Sequence, residues 1–179
     1  MRISRILPSM MLCSGLAVAA ASAQERGDVG ITMGFPASIG VLWHATDTVA
    51  IRPDLSFSGS STDPGDSSSW TLGTGVSALI YMGEAENVRT YFSPRLTYQR
   101  SSFSVETAIG GDTTRTANAW GVSGSFGAQY TPNRRFGVFG EVGFSYSRLK
   151  TDTVAFSTEG TAHGWGTRAG IGVVFYPGS

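Results

Sequence analysis

The chain has 179 residues, 13 basic and 13 acidic side chains, and one cysteine, Cys13. That length suits one domain, the even charge leaves no basic footprint for nucleic acid, and a lone cysteine excludes a disulfide framework. Lys150 is the only lysine, where a soluble domain of this size would show many on its surface.

Residues 1–23 read as a signal peptide. Met1-Arg2-Ile3-Ser4-Arg5 is a short basic start, an apolar stretch runs from Ile6 to Ala20, and Ala21-Ser22-Ala23 is a small-x-small cleavage site before Gln24. The apolar stretch is broken by Pro8, Ser9 and Ser14 and is too short to span a bilayer as a helix. Cys13 follows Leu12, where a lipidation signal takes a small residue. Cleavage removes Cys13, and with it any thiolate nucleophile or cysteine metal ligand; loss of Arg2 and Arg5 takes the net charge to −2. The remaining residues, 24–179, form one domain with no stretch resembling a transmembrane helix. If they enter a membrane they must close into a barrel, because every backbone group has to be paired there.

From residue 27 onward the pattern is alternation with period two, which predicts strands. Eight segments are expected, at 27–35, 38–45, 48–58, 69–82, 89–101, 117–131, 135–149 and 163–176. In the third, Val49, Ile51, Leu55 and Phe57 oppose Ala50, Arg52, Asp54 and Ser56. In the sixth, Trp120, Val122, Phe126, Ala128 and Tyr130 oppose Gly121, Ser123, Ser125, Gly127 and Gln129. Pro53 and Pro94 fall on the apolar face inside strands, and each should mark a bulge or irregular pairing, since proline donates no ladder bond. Short turns at Thr46-Asp47, 83–88 and 132–134 alternate with long polar segments read as loops at 59–68, 102–116 and 151–163. The loop around Pro36-Ala37 is short.

Which face points inward follows from composition. The non-apolar face is mostly Gly, Ser and Thr, poor material for a solvated surface but suited to filling a narrow eight-strand lumen. The apolar face is zoned: Trp70, Tyr98, Trp120, Tyr146 and Trp165 fall near the long-loop ends, and Trp43, Phe92, Tyr130, Phe136 and Phe175 near the short-turn ends. Two aromatic girdles around an aliphatic band match the two interfaces of a bilayer. The expected fold is therefore an all-β, eight-stranded, antiparallel up-and-down transmembrane β-barrel.

The chain resembles the outer-membrane protein β-barrel domain family, the eight-stranded OmpA-like and OmpX-like group, across residues 24–179. Its end, Arg168-x-Gly170-x-x-Val173-x-Phe175, resembles the C-terminal signal read by the barrel-assembly machinery, and departs from it in the tail Tyr176-Pro177-Gly178-Ser179. The resemblance implies a bacterial outer-membrane location with the N-terminus in the periplasm, and a monomer. It implies as partners outer-membrane lipid and lipopolysaccharide, and the assembly machinery and periplasmic chaperones during biogenesis. No cofactor and no metal site are expected.

The inward charges Arg52, Asp54, Arg95, Glu141 and Arg168 are the candidate functional residues, with Arg89 and His44 nearer the ends. Mid-strand, an unpaired charge costs several kcal/mol, so an ion-pair network plugging the lumen is expected, with Glu141 as partner of Arg95 or Arg168. A gated polar path is the alternative, in which case the protein is a narrow porin. Phe139, Tyr91 and Tyr81 favour the plug and the many glycines favour the path. An outer-leaflet lipid-modifying enzyme is the third reading, and it finds little support. The only histidines, His44 and His163, fall at opposite membrane faces, and His163-Gly164-Trp165 lacks the His-x-Ser spacing of deacylase-like barrels. Gly73-x-Gly75-x-x-Ala78 spells a dinucleotide fingerprint but lies in a strand. Asp63-Pro64-Gly65-Asp66 lacks the ligand count of a calcium loop. The expected role is structural or interactive, in anchoring and loop display.

Overall fold

A computed structural model describes residues 25–36, 38–62, 67–107, 111–153 and 158–178. The expected signal peptide and cleavage site, and the Asp63–Asp66 segment, lie outside them. Eight strands follow in chain order: β1 (Val29–Phe35), β2 (Ser38–His44), β3 (Val49–Thr62), β4 (Ser67–Ala85), β5 (Val88–Thr107), β6 (Gly111–Asn133), β7 (Phe136–Thr153) and β8 (Thr158–Phe175). Each pairs antiparallel with its chain neighbours, and β1 pairs with β8 to close the ring. Closure leaves the turn-side part of the wall without an edge, the condition for a sheet to sit in lipid.

The alternation read from sequence sets the two faces. Val122, Phe126, Val142, Phe144 and Ile171 point outward and are exposed, while Ser77, Ser93, Ser125 and Val174 on the opposite phase are buried in the lumen. This inverts the usual soluble arrangement. The outward apolar band is stable only where a hydrocarbon solvent replaces water.

The strands outrun their predicted ends. The segments expected as loops at 59–68, 102–116 and 151–163 are mostly ladder: Gly59 pairs Trp70, Ser102 pairs Thr116, and Thr151 pairs Gly160. Hydrophobic alternation is silent on a strand with water on both sides, where backbone pairing and cross-strand hydroxyl contacts hold the ribbon without apolar burial. Such contacts are present at Ser60 Oγ–Ser69 Oγ, 2.9 Å, Thr71 Oγ1–Ser101 Oγ, 3.0 Å, and Ser104 Oγ–Thr114 Oγ1, 3.1 Å. One end of the barrel therefore carries tall β-hairpins (the hairpin end) and the other short turns (the turn end).

Pro53 and Pro94 are outward-facing, as predicted, and each interrupts pairing with one neighbour. The β2–β3 ladder has no bonded pair between Gly40↔Asp54 and Trp43↔Ile51, and the β4–β5 ladder none between Ser77↔Arg95 and Ile80↔Phe92. Neither proline shifts the register. The shifts lie at the turn end instead, at Tyr81/Gly83 and Tyr130/Asn133.

Candidate functional site in the lumen

The lumen is filled in two layers drawn largely from alternate strands, the arrangement small barrels use to interdigitate inward side chains. The mid-height layer comes from β3, β5 and β7, with Arg168 added from β8. Arg52 Nη2 donates to Glu141 Oε1 at 2.5 Å, and Arg95 Nη2 to Asp54 Oδ1 at 2.5 Å. Arg168 Nη1 donates to Glu141 Oε2 at 3.4 Å and to Ser125 Oγ at 3.4 Å. Tyr91 Oη adds a third donor to Glu141, 3.1 Å from Oε1, and the Arg52 guanidinium lies 4.8 Å over the Phe139 ring. Glu141 thus holds groups from three other strands.

Glycines make this convergence possible. A Cβ at Gly75 would meet the Arg95 guanidinium, and one at Gly127 would meet the Tyr91 ring. The spelled fingerprint at Gly73 and Gly75 is clearance for an arginine and for Ser56, within β4 and with no helix behind it.

The turn-end layer comes from β2, β4, β6 and the residue after β8. Tyr81 Oη donates to Gln129 Oε1 at 3.0 Å, Gln129 Nε2 to Tyr176 Oη at 3.3 Å, and His44 Nε2 lies 3.1 Å from Tyr176 Oη. His44 also stacks on Tyr81 with centroids 5.7 Å apart. The Arg89 guanidinium sits 3.9 Å from the centre of the same Tyr81 ring. Leu42, Leu79 and Val174 join the same cluster from the mid-height side, two residues before His44, Tyr81 and Tyr176 respectively.

All five mid-strand charges singled out in the sequence lie in the mid-height layer. The pairing expected for Glu141 is corrected in part: Arg168 does contact it, but its close partner is Arg52, and Arg95 belongs to Asp54. Strand tilt carries β3 residues across the lumen to β7, which spacing along the sequence does not reveal. Gln129 and Tyr176 escaped attention. Tyr176 looked like a departure from a terminal motif, yet it continues the inward phase of Arg168, Gly170, Gly172 and Val174, and that phase was the available signal.

The ten girdle residues face outward. Tyr98 and Trp120 are cross-strand partners with rings 4.6 Å apart, Tyr146 pairs Trp165, and at the turn end Phe136 pairs Phe175. Of the assembly-signal positions, Arg168 and Gly170 face the lumen and Val173 and Phe175 face out. His163 Nδ1 is taken by Tyr146 Oη at 2.6 Å on the outer surface, and no serine hydroxyl among the described residues is bonded to it.

A closed antiparallel ring with an apolar exterior, two aromatic girdles and a filled polar interior defines a transmembrane β-barrel. The chain matches the model of the outer membrane protein beta-barrel domain over residues 9–178 and belongs to that family. Among solved structures it is similar to a major outer membrane protein from Thermus thermophilus, with a TM-score of 0.56 at 10% identity, covering 83% of this chain and 98% of that one. It also aligns with CarO from Acinetobacter baumannii, at a TM-score of 0.41 and 14% identity over 84% of this chain and 97% of that one. A comparison with curated protein sequences returns no match.

Proposed function

We propose that this protein is a sealed, non-catalytic outer-membrane barrel that anchors in the bilayer and presents its tall hairpins as an interaction surface. The observation that carries this reading is the double closure of the lumen, by the Arg52–Glu141 layer and by the Tyr81–Gln129–Tyr176–His44 layer below it. The asymmetry between short turns and tall hairpins supports placing the N-terminus and turns in the periplasm and the hairpins outside. Lipopolysaccharide and surface ligands are then the partners within reach of the hairpins, and the barrel-assembly machinery and periplasmic chaperones act before them.

A narrow pore is the second reading. It is favoured by Arg52 Nη1, Ser77 Oγ, Ser93 Oγ and Ser123 Oγ, buried polar atoms with no protein partner that could line a file of water. Single-channel recording of the refolded protein in a planar bilayer separates the two. A silent membrane is expected for the sealed barrel, and steady unitary conductance would replace it with the pore.

A further inference from the structure

The wall of the barrel is complete over only part of its height. β1 joins β8 up to the pair Phe35↔Ile171, and β2 joins β3 up to Ile39↔Leu55. Toward the hairpin end from there, β3 from Ser56 to Thr62 is paired with β4 alone, and β8 from Gly170 back to Thr158 with β7 alone. Among the described residues no ladder joins β3 to β8. The β1–β2 hairpin is thus a low sill between two tall jambs. Trp165, on the β8 jamb, belongs to the hairpin-end girdle, and the sill at Ile171 lies below it on the same strand. The notch therefore opens within the apolar band.

Unpaired strand edges beside hydrocarbon are costly, so what stands behind the notch matters. Behind it is a vestibule of about 350 Å³ that reaches the sill at Phe35, Pro36 and Ser38 and has the mid-height charges as its floor. That floor carries three arginines, Arg52, Arg95 and Arg168, against two carboxylates, Asp54 and Glu141, leaving one positive charge in excess. Arg168 is the loosest of the three, 3.4 Å from its carboxylate and 24% exposed at the side chain. The sill is apolar: Phe35 is 75% exposed, with Ile171 beside it. Toward the hairpin end, Ser147 of β7 also lines the vestibule, six residues along the strand from Glu141.

We propose that the notch is a lateral portal for a single-chain anionic amphiphile, a long-chain fatty acid, with its carboxylate on Arg168 and its chain leaving over Phe35 and Ile171 into the bilayer. One surplus charge suits a monoanion. The vestibule has room for a head and the start of one chain, and the chain's exit keeps the rest in hydrocarbon. The proposal stands whether or not the lumen conducts, and it requires no particular orientation in the membrane.

The test uses the full mature protein folded in phosphatidylcholine vesicles, with stearic acid spin-labelled near its carboxyl as the probe and folding verified for each variant by heat-modifiable gel migration. The wild type should immobilise a fraction of the acid beyond that seen with the spin-labelled methyl ester. Arg168→Gln should weaken this component at least tenfold. Ser147→Trp adds bulk to the vestibule wall away from the charges, and should abolish it. Equal immobilisation of acid and ester, or a component unmoved by Ser147→Trp, overturns the portal. Spin-labelled phosphatidic acid immobilised as strongly as the fatty acid, and released by Ser147→Trp, overturns the single-chain occupant.

Discussion

Arg52 and Glu141 stand on strands four apart in an eight-membered ring, and so reach each other from opposite walls, Nη2 to Oε1 at 2.5 Å, with side chains 5% and 2% exposed. The pair is a strut across the lumen. Removing either end leaves a buried charge, and a stranded buried partner costs about 3–5 kcal/mol.

Glu141→Ala should therefore destabilise the folded barrel by about 3 kcal/mol or more. Arg168→Ala should cost no more than about 1 kcal/mol, because Glu141 keeps Arg52 and Tyr91 when Arg168 is gone. Urea titration of both variants in lipid vesicles, followed by tryptophan fluorescence, gives the comparison. Equal losses would remove Glu141 from the centre of the network.

Breaking the charge layer should not open the barrel by itself. The Glu141→Ala/Arg168→Ala variant keeps Tyr81, Gln129, Tyr176 and His44 linked at the turn end. Planar-bilayer recordings should show it silent, and conductance should appear only when Tyr81→Ala and Gln129→Ala are added. A leak from the first variant would place the whole seal at mid-height.

Two inward glycines should respond oppositely to the same methyl group. A Cβ at Gly143 would run into the carbonyl of Gly124 and the Ser125 backbone on β6, which cannot swing away, whereas one at Gly166 meets open space. Gly143→Ala should cost about 1–3 kcal/mol, and Gly166→Ala should stay within about 0.5 kcal/mol of the wild type. Matching losses in equilibrium unfolding would contradict the close approach of β6 and β7.

Val142 faces outward in the apolar band, whereas Ser61 lies on the β3 ribbon of the hairpin end. Val142→Arg should destabilise folding into vesicles by about 2–4 kcal/mol, and Ser61→Arg by close to none. Similar penalties at the two sites would mean that the membrane boundary has been drawn in the wrong place.

Glu86 closes the β4–β5 turn with φ of +53°, a left-handed conformation that costs an ordinary side chain about 1 kcal/mol. Glu86→Gly should raise the unfolding midpoint slightly. A lowered midpoint would show that the glutamate side chain contributes more than the backbone loses.

The faces of the barrel were legible in the sequence because period-two alternation is a direct consequence of strand geometry, and an apolar residue such as Phe126 or Val142 signals its own side. The inward placement of Arg52, Asp54, Arg95, Glu141 and Arg168 followed from the same phase. Their partners did not. Pairing across a lumen depends on strand tilt and stagger, so Arg52 meets a residue 89 positions away while Arg95 turns to Asp54. The tall hairpins were hidden because Ser60, Ser69, Ser104 and Thr114 pair as strand residues without apolar neighbours to announce it. The vestibule and its notch were invisible for a related reason. They arise from unequal strand lengths, and those lengths are set by the polar ribbons.

The inequality of the strands also bears on how the ring comes together. β5 and β6 share a ladder running from Val88 to Thr107, whereas the joint between β1 and β8 runs only from Ile31 to Phe35. That joint unites the two ends of the barrel, the most distant partners in sequence, so the largest loop-closure entropy is set against one of the shortest ladders. The molecule is in this sense a ribbon fastened by a small clasp. Seven neighbouring ladders can form from local hairpins and persist without it, which makes fastening the last event of assembly and the first to be undone when the barrel is stressed.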